Sequence, residues 1–293
     1  VELRSSIFAT TALVATAGIA AADVTLGGGA VAGLKSTGAG DAFLHYEIDI
    51  DIKAAGETDS GLSFGASLDI DEGATAGRDP EIFVSGAFGT VTLGEVDIAT
   101  DALGLPDLGF DGIGMDDDVE ALRNAGTADV TYAHSIAGIS LTLSYGVGGT
   151  PGLDAAEGDF GILLGYKFDA FSIEAGVARD DSTGNRAMGV ELGYSANGIS
   201  ATALWAQQDP AAGAETSGYG LNIGYTIDAL TVSASYADTD QAGDGDDYGI
   251  GFSYNLGGGL RIVGAVGSVD ARTTTAGNPG RADVWDLGLT MSF

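Results

Sequence analysis

Residues 283–293 alternate almost without fault between apolar and polar side chains. Trp285, Leu287, Leu289, Met291 and Phe293 fall at one parity, and Asp286, Gly288, Thr290 and Ser292 at the other. A period of two sets these groups on opposite faces of a β-strand. Such strands recur along the chain, and little of it carries the 3.6-residue period of a helix that could cover them. A soluble sheet hides its apolar face under a helix or a second sheet. Here the apolar faces are expected to meet lipid.

The same alternation appears elsewhere. Ile48, Ile50 and Ile52 alternate with Glu47, Asp49, Asp51 and Lys53, and Leu62, Phe64, Ala66, Leu68 and Ile70 with Ser63, Gly65, Ser67, Asp69 and Asp71. Phe160, Ile162, Leu164, Tyr166 and Phe168 share one face, as do Tyr219, Leu221, Ile223, Tyr225 and Ile227, and Tyr248, Ile250, Phe252, Tyr254 and Leu256. Short connections fall near Gly89-Thr90, Ala137-Gly138, Asp169-Ala170, Asn197-Gly198 and 257–259, and longer polar ones lie between them. Asn-Gly is a strong hairpin signal. Short turns on one side and long loops on the other describe an outer-membrane barrel.

Sixteen strands are expected, beginning near Val24, Ala42, Leu62, Pro80, Val91, Thr127, Ile139, Asp159, Phe171, Arg186, Ile199, Gly218, Leu230, Tyr248, Leu260 and Asp283. The third, fourth and fifteenth alternate less cleanly, which leaves fourteen open. An even count returns the last strand beside the first and leaves no unpaired edge in lipid. The fold class read from the pattern is all-β, a 16-stranded antiparallel transmembrane β-barrel wide enough for an aqueous channel. Tyr132, Tyr166, Phe168, Phe171, Tyr194, Tyr225 and Tyr254 sit where an interfacial aromatic girdle belongs.

Composition narrows the partners. A net charge of −31, from 42 acidic residues against 11 basic ones, argues against nucleic acid. A hydrophobic content of 45% is too high for a disordered acidic tail. The absence of cysteine removes disulfides and thiolate metal sites. The small and apolar run 7–22 closes on Ala20-Ala21-Ala22 and satisfies the A-x-A cleavage rule, so 1–22 is expected to be an export signal and 23–293 the barrel domain.

One connection is out of scale. Over residues 97–126 the alternation lapses, and loops of this length are usually functional. The stretch carries Asp97, Asp101, Asp107, Asp111, Asp116, Asp117, Asp118 and Glu120 against one base, Arg123. Leu103, Leu105, Leu108, Phe110, Ile113 and Met115 give it apolar side chains that call for packing.

At this point the sequence resembles the general diffusion porins of photosynthetic and related alphaproteobacteria (Rhodobacter-type Gram-negative porins). The resemblance rests on ETDSGLSFGAS at 57–67, IFVSGAFGTVTLGEVD at 82–97 and the closing strand to Phe293. It implies a homotrimer in the outer membrane, in contact with its lipid and lipopolysaccharide, passing small hydrophilic solutes and cations. It also implies that the third external loop, here 97–126, folds into the barrel as the constriction loop. No cofactor is required by it, although calcium on loop carboxylates is a further implication. Asp116, Asp117 and Asp118, or Asp244, Asp246 and Asp247, are the candidate ligands, and neither set has EF-hand spacing.

Such porins usually face the acidic loop with a row of arginines. Here the corresponding wall reads Glu47, Asp49, Asp51 and Lys53, then Asp69 and Asp71, with Lys35 nearby and no basic cluster. Rows of carboxylates make a pore attract cations and exclude anions, so cation preference is expected. The rival readings are a substrate-specific outer-membrane channel and a secreted acidic adhesin. An enzyme is not expected: the chain has two histidines, His45 and His134, and no P-loop motif.

Overall fold

The computed structural model describes residues 23–38, 41–71, 78–148, 157–241, 245–270 and 281–293. The expected export segment 1–22 and the candidate ligand Asp244 lie outside them. Sixteen strands form the wall: β1 (Asp23–Ser36), β2 (Phe43–Glu57), β3 (Ser63–Asp71), β4 (Arg78–Gly86), β5 (Gly89–Val96), β6 (Ala128–Ile136), β7 (Ile139–Tyr145) and β8 (Phe160–Phe168), followed by β9 (Phe171–Arg179), β10 (Arg186–Ala196), β11 (Ile199–Asp209), β12 (Thr216–Ile227), β13 (Leu230–Thr239), β14 (Asp247–Gly257), β15 (Leu260–Asp270) and β16 (Arg281–Ser292). Each starts within two residues of its expected position. Every strand pairs antiparallel with its sequence neighbours, and β1 pairs with β16 to close a barrel. Backbone bonds of 3.0 and 3.1 Å between Gly28 and Phe293 complete that seam. The count is therefore sixteen, not fourteen.

Tight turns close one end of the barrel. Ala137-Gly138 and Asn197-Gly198 hold both residues at positive φ, the geometry that matches the right-handed strand twist of a two-residue hairpin. The β4–β5 turn lies at 87–88, two residues before the expected Gly89-Thr90, because Gly86 and Gly89 already pair as strand residues.

The alternation assigns the faces. On β2, Leu44, Tyr46, Ile48 and Ile50 stand outward and are 42–67% exposed, while His45, Glu47, Asp49 and Asp51 point inward. The same apolar exposure runs around the outside of the barrel, from Ile82 through Leu164, Ile223 and Ile250 to Leu287. An apolar surface this extensive on a closed sheet fits hydrocarbon rather than water. Outward aromatics gather near the tight turns, with Tyr166, Phe168, Phe171, Tyr225 and Tyr254 all exposed. His134 stacks on Tyr132 at this outward level, 6.4 Å between ring centroids. The buried apolar clusters lie inside the barrel, where the long connection meets the wall.

Candidate functional site

The connection between β5 and β6 enters the barrel and runs along its inner wall from β8 round to β1. It begins with a 3-10 turn (Ala99–Ala102) and includes one short helix, α1 (Asp117–Ala121). Its outgoing limb crosses the strands in order: Ile98 meets Gly161 on β8, Thr100 meets Gly176 on β9, and Leu103 meets Gly189 on β10. Leu105 then meets Gly220 on β12, Leu108 meets Gly249 and Gly251 on β14, and Phe110 meets Gly288 on β16 and Gly33 on β1. The return limb lies closer to the long-loop end, with Ile113 and Met115 over Gly267 on β15 and Val119 over Gly218 on β12.

Each of these glycines leaves a socket that a side chain would fill. A Cβ at Gly189 would stand 2.7 Å from Leu103 Cδ1, and one at Gly288 would stand 2.7 Å from Phe110 Cδ1, both too close for carbon atoms. Inward Leu163, Leu204, Ala206, Ala237, Val263, Ala265, Val269, Ala282 and Val284 complete the apolar bed. Leu103 and Val119 are 0% exposed, so the loop has a core of its own within a barrel whose lumen is otherwise polar.

Polar anchors pin the same path. The amide of Ala99 donates to Ser144 Oγ at 2.8 Å, that of Gly104 to Glu191 Oε2 at 2.8 Å, and that of Phe110 to Asp286 Oδ2 at 2.8 Å. Asn222 Nδ2 donates to the Pro106 carbonyl at 3.3 Å, and Gln208 Nε2 to the Asn124 carbonyl at 3.0 Å. Without such partners, backbone groups lifted out of water would cost several kcal/mol in all, about 1–3 each.

Several of the loop's carboxylates are engaged inside it. Arg123 is buried and forms ion pairs with Asp101 at 3.1 Å and Glu120 at 2.8 Å, while Glu120 Oε1 also accepts from the Leu105 amide. Asp111, 5% exposed, takes Lys35 Nζ at 2.5 Å. Asp116 is buried at the N-cap of α1. Burial, then the charges of Asp107, Glu120 and Asp117, push its carboxyl well above the usual range. Asp97, Asp107 and Asp117 are exposed, and Asp118 is partly so.

Opposite the loop stands an acidic wall. The β2–β3 register sets Asp49 against Asp71 and Asp51 against Asp69, and the β3–β4 register sets Asp69 against Asp79. Glu47 and Glu81 extend the patch, with Glu81 taking a hydrogen bond from Ser67 Oγ at 3.2 Å. Lys53 lies within 3.8 Å of Asp51 and is half exposed. Like charges directly across a pair of strands destabilise it. At an effective dielectric near 20, two carboxylates about 5 Å apart repel by roughly 3 kcal/mol, a cost that mobile cations reduce by screening.

The inward wall thus brings together Glu47, Asp49, Asp51, Lys53, Asp69 and Asp71, while Lys35 reaches across to the loop. Sequence reading passed over Asp79 and Glu81, although their parity matches that of Asp69; Pro80 and the inward Phe83 blur the pattern of β4. It also passed over Asp286 and Glu191 as anchors of the loop, because only the folded chain brings their partners near. Among the described residues, the one group whose histidine and carboxylate ligand atoms all lie within 4.8 Å is His45, Glu47 and Asp111. Among the described residues, Asp116, Asp117 and Asp118 do not form such a group. Asp246 pairs with Arg281 at 2.8 Å, and Asp247 accepts the Asp270 amide at 2.6 Å.

A closed sixteen-stranded barrel, apolar outside and polar within, narrowed by an inserted loop, defines a channel-forming protein of the porin class. The Gram-negative porin family model matches residues 9–274, and the chain belongs to that family. It is 30% identical over 279 residues to a porin of Rhodobacter capsulatus, covering 82% of this chain and 90% of that one. A doubly substituted mutant of the Rhodobacter blastica porin superposes with a TM-score of 0.72 at 25% identity, over 92% of this chain and 100% of that one. A porin structure refined at 1.8 Å gives 0.70 at 24% identity over the same shares. The protein is an outer-membrane β-barrel channel.

Proposed function

We propose that the protein is a general diffusion porin: a water-filled, cation-preferring channel for ions and small hydrophilic solutes. The observation that carries this reading is the carboxylate wall of Glu47, Asp49, Asp51, Asp69, Asp71, Asp79 and Glu81 across the lumen from the inserted loop. Of the two lysines in this region, Lys35 is held by Asp111 and Lys53 lies beside Asp51. Net negative potential in a passage with low-dielectric walls concentrates cations and depletes anions. A homotrimeric assembly is proposed with it on family membership.

The test is the reversal potential of the protein in a planar bilayer under a KCl gradient. Potassium should be preferred, and the double substitution Asp49→Asn with Asp69→Asn should reduce that preference. A change of about one kT in the local potential alters the ratio of cation to anion roughly sevenfold, because the two ions respond in opposite directions. Chloride preference in the unaltered protein would refute the proposal.

A further inference from the structure

We propose that His45, Glu47 and Asp111 form a binding site for a divalent transition cation of the zinc class, joining the barrel wall to the inserted loop. His45 and Glu47 lie two residues apart on the inward face of β2, so strand geometry aims both side chains into the lumen at neighbouring levels. Asp111 arrives from the far end of the loop's outgoing limb, after Phe110 has seated against Gly33 and Gly288. The ring of Phe110 stands 5.9 Å from that of His45 and shields one side of the cluster.

The spacing is that of ligands around one ion. His45 Nε2 lies 3.1 Å from Asp111 Oδ2 and 3.6 Å from Glu47 Oε1, and all three ligand atoms fall within 4.8 Å of one another. Two ligands at metal bonds of about 2.0–2.2 Å stand roughly 2.9–3.5 Å apart in tetrahedral or octahedral geometry. A hydrogen-bonded role for the histidine fits less well. Its Nε2 atom is buried yet makes no hydrogen bond, despite the two carboxylates beside it. One imidazole nitrogen with two carboxylate oxygens suits zinc, nickel or copper, whereas calcium and magnesium favour oxygen alone.

Lys35 is the built-in competitor. Its Nζ lies 2.5 Å from Asp111 Oδ2 and 3.0 Å from the Asp111 carbonyl, so an ammonium already stands at one ligand. The register places Asp286 directly across from Lys35, which offers the displaced ammonium another carboxylate. Metal and lysine therefore compete for Asp111, and removing the lysine charge should tighten the site.

The full chain, purified in detergent and stripped with a chelator, would be titrated with Zn²⁺ by calorimetry and with Co²⁺ by visible absorption. One site per chain is expected. His45→Gln and Glu47→Gln should each weaken it by at least about tenfold, and Lys35→Met should strengthen it, while His134→Gln on the outer face should leave it unchanged. Both weakening variants are checked for folding by heat-modifiable migration, and either alone suffices. Zinc affinity unaltered in the folded His45→Gln or Glu47→Gln protein would overturn the assignment. So would calcium displacing zinc at equal concentration, or weaker binding in Lys35→Met. These readouts involve no conduction, so their failure leaves the channel reading untouched.

Discussion

Leu103→Ala should release the inserted loop, and trypsin offers a direct way to measure it. Leu103 is 0% exposed, seated over Gly189 and packed in one cluster with Leu105, Val119, Leu122, Leu163 and Leu204. The substitution removes the equivalent of three methylene groups, worth about 2.4 kcal/mol at roughly 0.8 each, and the cavity left behind adds to that. Loop docking should weaken by at least this amount, or about fiftyfold in the population of the undocked form, since 1.4 kcal/mol is a factor of ten. Arg123 is the only lysine or arginine in 97–126 and is 6% exposed, held by Asp101 and Glu120 inside the barrel. A protease too large for the lumen reaches it when the loop swings out. Where opening and closing are fast, the cleavage rate follows the open population. Limited trypsinolysis in detergent, with the fragment identified by mass, should therefore show cleavage after Arg123 rising about fiftyfold in Leu103→Ala, on the scale of the docking loss. Leu192→Ala, on the outward face, is the control and should leave the rate unchanged. Equal rates in Leu103→Ala and the unaltered protein would refute the view that these sockets hold the loop.

Two further outcomes follow from local geometry. Ala137 occupies the left-handed region at φ 52, which costs a residue with a Cβ about 1–2 kcal/mol; Asn tolerates it better, so Ala137→Asn should slow thermal or denaturant unfolding of the barrel, and faster unfolding would contradict that account. Burial and neighbouring carboxylates raise the Asp116 carboxyl, so ionising it opposes docking. Its stabilising contribution is complete below the unfolded value and is lost as pH rises through the docked value. Asp116→Asn should therefore protect loop amides from hydrogen exchange at neutral pH and flatten the pH dependence of that protection. An unchanged slope would exclude Asp116 as its source.

Strand positions were legible because alternation is a local property: each side chain's face follows from its parity, and a one-residue slip would turn every isoleucine of β2 into the lumen. The acidic faces of β2 and β3 were readable for the same reason. The inward face of β15 was not, since Val263, Ala265 and Val269 are apolar on the lumen side, where the inserted loop covers them. An apolar residue facing a buried loop and one facing lipid look alike in a sequence.

The chain's own order of residues thus determined a closed, lipid-facing barrel and one wall of crowded carboxylates. Only the tertiary structure decided where the long loop lies, which of its acids are neutralised within it, and that His45 meets Asp111. Those outcomes depend on sockets and partners contributed by strands far apart in the chain, as with Phe110 and Asp286, which are separated by 176 residues. Periodicity records which way a side chain points, but not what will stand opposite it.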